Sequence, residues 1–287
     1  MKHFLGIDVT LDKENEKFDG DEFIIQKPSA YLAQQLQENS EEFFESLEKA
    51  KLPLFLRILQ WVCGFGALIG GCALVRVVAE DEEATFGLFY RNAPWIFWLL
   101  AAMAVCWLAL FLCAHRKFKQ TMENPEQEAK DAENNALYAA IQRELGVPMD
   151  AGEAEVLSFH YKMKGEEMRF ADTEMGEIEF NNLTYSIFAD EENLYLADGE
   201  CKYAFPKSSI KRIQTVKKRG YIFLWMKDEK PNKGIYKPYK LSVDKYENVH
   251  FKTYHVLEVE KDGVLWGIYF PCYELPIFEE MTGLKAE

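Results

Sequence analysis

The sequence predicts a membrane α-helical hairpin joined to a mainly-β domain that a C-terminal helix closes, with helical arms flanking the hairpin. Three observations predict it. Two apolar stretches without charge lie at 58–75 and 94–114. Past residue 154 the chain breaks into short aromatic and β-branched runs separated by turn signals. The segments between are so polar that the 287 residues carry a formal charge of −14 although 48% of them are hydrophobic.

The second stretch, Pro94 to Ala114, is 21 residues long, roughly 30 Å of helix and so the thickness of the hydrocarbon layer. Trp95 and Trp98 stand near one end, and His115, Arg116, Lys117 and Lys119 follow the other. Indole rings and basic flanks favour the two interfaces. In the first stretch, Arg57 and Arg76 bracket 18 residues in which only Gln60 is strongly polar. Both arginines can snorkel to the interface. Gly66 and Gly70 form a small-xxx-small pair that serves helix packing, either as a dimer seam or, as we expect, against the second span.

The first long apolar run begins past residue 52, so the first span is expected to act as an uncleaved insertion signal. Lys49, Lys51 and Arg57 precede it, whereas the loop between the spans holds four consecutive acids, Glu80 to Glu83. Positive flanks stay in the cytoplasm. A multi-pass protein of the inner (plasma) membrane, with both termini cytoplasmic, is therefore expected. The domain plan is a cytoplasmic arm at 1–52, spans at 53–78 and 93–114, an extracytoplasmic loop at 79–92, a helical stalk at 115–150 and a β domain at 151–287.

Within the arm, "HFLGIDVTL" and "DEFIIQK" read as short strands around an acidic turn, "DKENEKFDGDE". An amphipathic helix follows Pro28 and Ser29, with Leu32, Leu36, Phe43, Phe44 and Leu47 as its stripe. After the second span, Ala129, Ala132, Ala136, Ala140 and Ile141 share a narrow face of another helix, which Gly146 and Pro148 end. The two helices could pair as an antiparallel stalk; disordered linkers are the alternative. Seven to nine antiparallel strands then follow, from "VLSFHYKM" to "VLWGIYF", with turns at Asp198-Gly199, Arg219-Gly220 and Asp262-Gly263. A terminal helix should cover the sheet with Leu275, Phe278, Met281 and Leu284. Residues 150–287 are expected to fold alone.

The ordered run "TYSIFADEENLYLADGECKYAFPKSSIKRI" and the final "YFPCYELPIFEEMTGL", placed after a two-span hairpin, resemble bacterial membrane proteins with a pleckstrin-homology-like domain, the YcxB-like group among them. The resemblance covers roughly residues 55–285; the long arm before the first span departs from it. It implies a PH-like β-sandwich or barrel closed by a C-terminal helix, and a role in binding or assembly. It carries over no catalytic residue.

The residues themselves show no HExxH, G-x-S-x-G or P-loop pattern, no CxxC pair among six cysteines, and five scattered histidines. No enzyme, cofactor or metal is expected. "KSSIKRIQTVKKR" carries Lys207, Lys211, Arg212, Lys217, Lys218 and Arg219 without an acid, and "KPNKGIYKPYK" adds Lys237 and Lys240 beside tyrosines. Such residues can face an anionic leaflet or a protein partner; the alternative is a solvated strand pair balanced by acids elsewhere. The expected function is a membrane-tethered, non-catalytic adaptor or scaffold that docks protein or anionic lipid. An accessory subunit of a larger membrane transport or envelope complex, or a membrane-bound enzyme, is the alternative. Membrane lipids, a protein partner or a homo-oligomer are the expected partners, and nucleic acid is not.

Overall fold

The computed structural model describes residues 1–10, 20–80, 85–122, 124–165, 167–174, 176–225 and 227–287. Most of the acidic turn at 12–22 and of the acids at 80–83 therefore lies outside the described residues. In chain order the elements are β1 (Lys2–His3), β2 (Gly6–Asp8), β3 (Ile24–Gln26), α1 (Ala30–Ala50), α2 (Leu54–Glu80), α3 (Phe86–Asn92), α4 (Pro94–Met122) and α5 (Pro125–Glu144). Then come β4 (Gly152–Lys164), β5 (Glu167–Phe170), β6 (Thr173–Glu174), β7 (Glu177–Ala189), β8 (Asn193–Ala197), β9 (Lys202–Pro206), β10 (Ile210–Val216) and β11 (Gly220–Ile222). The chain ends with β12 (Ser242–Val243), β13 (Val249–Phe251), β14 (Tyr254–Lys261), β15 (Val264–Pro271) and α6 (Leu275–Thr282). They form two compact units: Met1–Ala33 with Tyr138–Glu287, and Gln34–Leu137.

In the helical unit, α2 and α4 are long and apolar enough to cross a membrane, and almost none of their apolar surface is buried within the protein. A core helix of a soluble fold would instead be covered by its own chain. The two helices run antiparallel: a side chain at Gly64 would strike Trp107, at Gly66 Met103, and at Gly70 Leu100. Both members of the small-xxx-small pair thus face the second span, and close approach of the backbones is what they provide. Past the end of α4's apolar stretch, Lys117 Nζ donates to the carbonyls of Lys49 (2.7 Å) and Lys51 (3.2 Å), orphan acceptors at the end of α1. α1 and α5 meet through Lys130 and Glu42 at 2.6 Å, while Ala129, Ala132 and Ala136 stay exposed.

The β unit is built on seven strands. β4, β7, β8 and β9 form an antiparallel meander, and β10, β14 and β15 a second antiparallel set, followed by α6. Phe278 of α6 is fully buried and stacks on Phe270 at 3.9 Å, with Leu275, Met281 and Leu284 around it. Asp262 and Gly263, at φ 52° and 75°, make the hairpin turn between β14 and β15 that the sequence signals. Arg219-Gly220 is not a turn: Gly220 opens β11, which lies parallel to the start of β7.

Two further segments complete this unit. The N-terminal segment enters it as strands: β1 pairs in parallel with β15, β2 in parallel with β4, and β3 antiparallel with β9. Phe4, Leu5 and Phe23 are 0%, 2% and 2% exposed, within the same core as Trp266. The chain between β10 and β14 carries β11, β12 and β13 and covers a second core around Phe159, Phe180, Phe251 and Tyr269. Alternate residues of β14 serve the two cores, Leu257 and Val259 the first, Tyr254 and Val256 the second.

One buried ion cluster ties that insertion to the sheets. Lys227 Nζ lies 3.3 Å from Glu155 of β4 and 3.0 Å from Glu274, just before α6. Tyr273 donates its hydroxyl to Glu155. Two carboxylates share one ammonium, and burial raises the Glu274 carboxyl against the pull of Lys227.

Residues 150–287 alone, lacking Phe4, Leu5 and Phe23, should melt far below the full chain in circular dichroism, and supplying residues 1–28 in trans should restore the transition; Phe4→Ala in the full chain should cost about 3–5 kcal/mol. Lys227→Met should destabilise by about 3 kcal/mol in denaturant titration, because a buried charge is left unpaired. The raised Glu274 carboxyl gives stability that is full below its ordinary pKa of 4.5 and is lost as pH rises through the folded value. Glu274→Gln should remove that slope.

Candidate functional site

The basic run of the sequence does not form one patch. Lys207 sits in the turn before β10, Lys211 and Arg212 on β10, and Lys217, Lys218 and Arg219 after it. From 207 to 217 an extended chain covers roughly 30 Å. β14 lies alongside and neutralises part of the run. Arg212 stands opposite Glu258 in the ladder and donates to both of its oxygens, at 2.9 and 3.0 Å. Lys211 pairs with Glu260 at 2.8 Å. The alternation of "LEVE" puts both acids on the face that β10's basic side chains share. Lys218 lies over the ring of Phe170 at 4.9 Å, and Arg219 Nη1 is 3.4 Å from Glu177 Oε1. Among the described residues, Lys207, Lys217, Lys237 and Lys240 have no ion-pair partner.

What remains basic is concentrated in the insertion at 217–253. Lys237 lies in the 3-10 turn Gly234–Tyr239, and Lys240, at φ 53°, ends it. Trp225 packs edge-on against Tyr236 at 4.8 Å and donates its indole N–H to the Glu229 carbonyl at 2.7 Å. The Glu229 carboxylate accepts from the backbone N–H of Ile235 at 3.1 Å. These bonds fold the loop back on itself and bring the neighbourhood of Leu224 to that of Ile235. Phe223, Leu224, Ile235, Val243 and Tyr246 are 63%, 48%, 71%, 48% and 66% exposed. These large apolar side chains stand in solvent on the same insertion as the unpaired lysines.

Beside that loop lies a polar cleft of about 330 Å³, lined by Glu177, Arg219, Lys240, Ser242, Asp244, His250 and Lys252 among others. His250 is held between two carboxylates, Nδ1 at 2.6 Å from Glu177 and Nε2 at 3.3 Å from Asp244. Asp244 also accepts from the backbone N–H of Tyr246 (2.7 Å) and Asn248 (3.0 Å) and from Asn248 Nδ2 (2.9 Å). Burial would raise its carboxyl, but these donors outweigh that and hold it at about 2. Among the described residues no group of three histidines, cysteines, aspartates or glutamates is placed to hold a metal ion.

Of the basic residues that the sequence offers, the structure thus brings Arg219 and Lys240 to one cleft, places Lys237 near Lys240 in sequence, and leaves Lys207 in the turn before β10 and Lys211 and Arg212 on β10. Glu177, Asp244, His250 and Lys252 were missed. Glu177 is 73 residues from His250, and no local pattern announces a pairing made by β11 and β13 stacking beside β7.

No protein-family model, no curated protein and no solved structure matches this chain.

Proposed function

We propose that this chain is a membrane-tethered, non-catalytic docking module whose β domain engages the anionic surface of the membrane that its two long apolar helices enter. The carrying observation is the insertion at 217–253. It exposes Phe223, Leu224 and Ile235 beside lysines that no carboxylate neutralises among the described residues. Apolar side chains can enter the headgroup boundary while each nearby lysine gains about 1 kcal/mol from anionic lipid.

Three features support the plan. β1 pairs with β15, so both ends of the chain belong to one domain, and two helices that span would have to do so as a hairpin with both termini on one side. Basic flanks put that side in the cytoplasm. The four-strand meander, the three-strand set and the closing helix fit a pleckstrin-homology-like domain with an insertion between its fifth and sixth strands. Tethering keeps the domain at high effective concentration near lipid, so weak contacts are enough.

A fixed membrane partner is a second reading, favoured by the apolar groove of about 380 Å³ between the helices, walled by Trp61, Phe65, Leu68, Ala104 and Trp107. Amide hydrogen exchange on the full chain in nanodiscs separates the two. Phosphatidylglycerol in place of phosphatidylcholine should protect 223–246, and high salt or Lys233→Glu with Lys237→Glu should remove that protection. Equal exchange in both lipids, with one protein co-purifying in fixed ratio, would favour the partner.

A further inference from the structure

The cleft beside the insertion has a charge balance that selects its ligand. Its two carboxylates are engaged by neighbouring donors, Glu177 by Arg219 and Asp244 by two backbone N–H groups and Asn248, with His250 lying between them. Lys240 and Lys252, by contrast, have no ion-pair partner among the described residues, and Arg219 is engaged only at 3.4 Å. The Ser242 hydroxyl lines the same space. Three cations outnumber the two carboxylates around this open cleft, and with the Ser242 hydroxyl they can receive a compact anion with several acceptor oxygens.

We propose that this cleft, between the start of β7 and the β12–β13 hairpin, binds a phosphomonoester dianion through Arg219, Lys240 and Lys252. His250 is a positioning residue: it lies 2.6 Å from Glu177 and 3.3 Å from Asp244 and so fixes both carboxylates against its ring. A phosphomonoester carries a second negative charge that the phosphodiesters of ordinary headgroups lack, so two ammonium groups favour it over them. In naming the headgroup class this deepens the membrane-surface proposal and rests on it for the lipid source. The same chemistry could come from a free phosphate.

The test uses the full chain in phosphatidylcholine nanodiscs, with amide hydrogen exchange read at 240–252 and at 223–235. Inorganic phosphate is titrated in one arm, and phosphatidic acid replaces part of the lipid in the other. Both should protect 240–252, and Lys240→Gln with Lys252→Gln should raise the half-saturating phosphate about tenfold or more, while arginine at both positions should retain binding. No protection by either ligand, or equal protection in the glutamine variant, overturns the cleft. Protection by phosphate with no response to any anionic lipid keeps the cleft as a free-phosphate site and defeats the membrane-surface proposal. Protection of 223–235 by phosphatidylglycerol with the cleft indifferent to phosphate does the reverse.

Discussion

One strand pairing closes the β unit: Lys2–His3 laid parallel to Trp266–Gly267. It puts the first and last parts of the chain into one sheet, with the whole helical unit between them in sequence. Phe4 and Phe23 then pack around Tyr203, Phe205 and Trp266, with ring centroids 4.8 to 5.3 Å apart for four of these contacts. Aromatic pairs at these separations contribute beyond their buried area. His3, 3% exposed and enclosed by Phe159, Tyr161 and Tyr269, is driven down to about 4 by burial, so it sits there neutral. The segment is thus a structural part of the domain rather than an arm.

The second constraint is that β4, β14 and β15 are buried on both faces. A strand with one solvated face needs one core, whereas these need two. The N-terminal strands and α6 supply one cover, and the insertion supplies the other. That explains why the insertion is anchored so heavily on its inner side, through Lys227, Glu155 and Glu274, while its outer side carries exposed apolar residues. An anchored loop with an apolar rim loses little conformational freedom when it meets a surface.

The basic residues show how a linear run misleads. On paper, six cations in 13 residues suggest one patch. In a strand they are strung out, and residues facing a neighbouring strand take its charges as partners. Arg212 and Lys211 belong to Glu258 and Glu260 for that reason. Among the described residues, the cations without an ion-pair partner instead include Lys217, Lys237, Lys240 and Lys252, beyond the reach of that ladder.

The sequence by itself determined what is local. The two long apolar helices, the runs that became β4, β7, β8, β9, β10, β14 and β15, the Asp262-Gly263 turn and the burial of Phe278 all follow from hydrophobic period, length and turn chemistry. Those signals act within a few residues. Tertiary structure decided what depends on contacts far apart in sequence. "YIFLWMK" has the composition of a long strand, yet among the described residues the paired strand there is Gly220–Ile222, between the start of β7 and β13. "HFLGIDVTL" looks like an isolated strand and becomes two, each laid beside a partner more than 150 residues away. The glycines of α2 could have met another copy or the second span, and the antiparallel fit against Met103 and Leu100 chose the span. The cleft around His250 exists only once β7, β11 and β13 stand side by side, since pairing of distant strands is fixed by whichever register buries the most apolar surface.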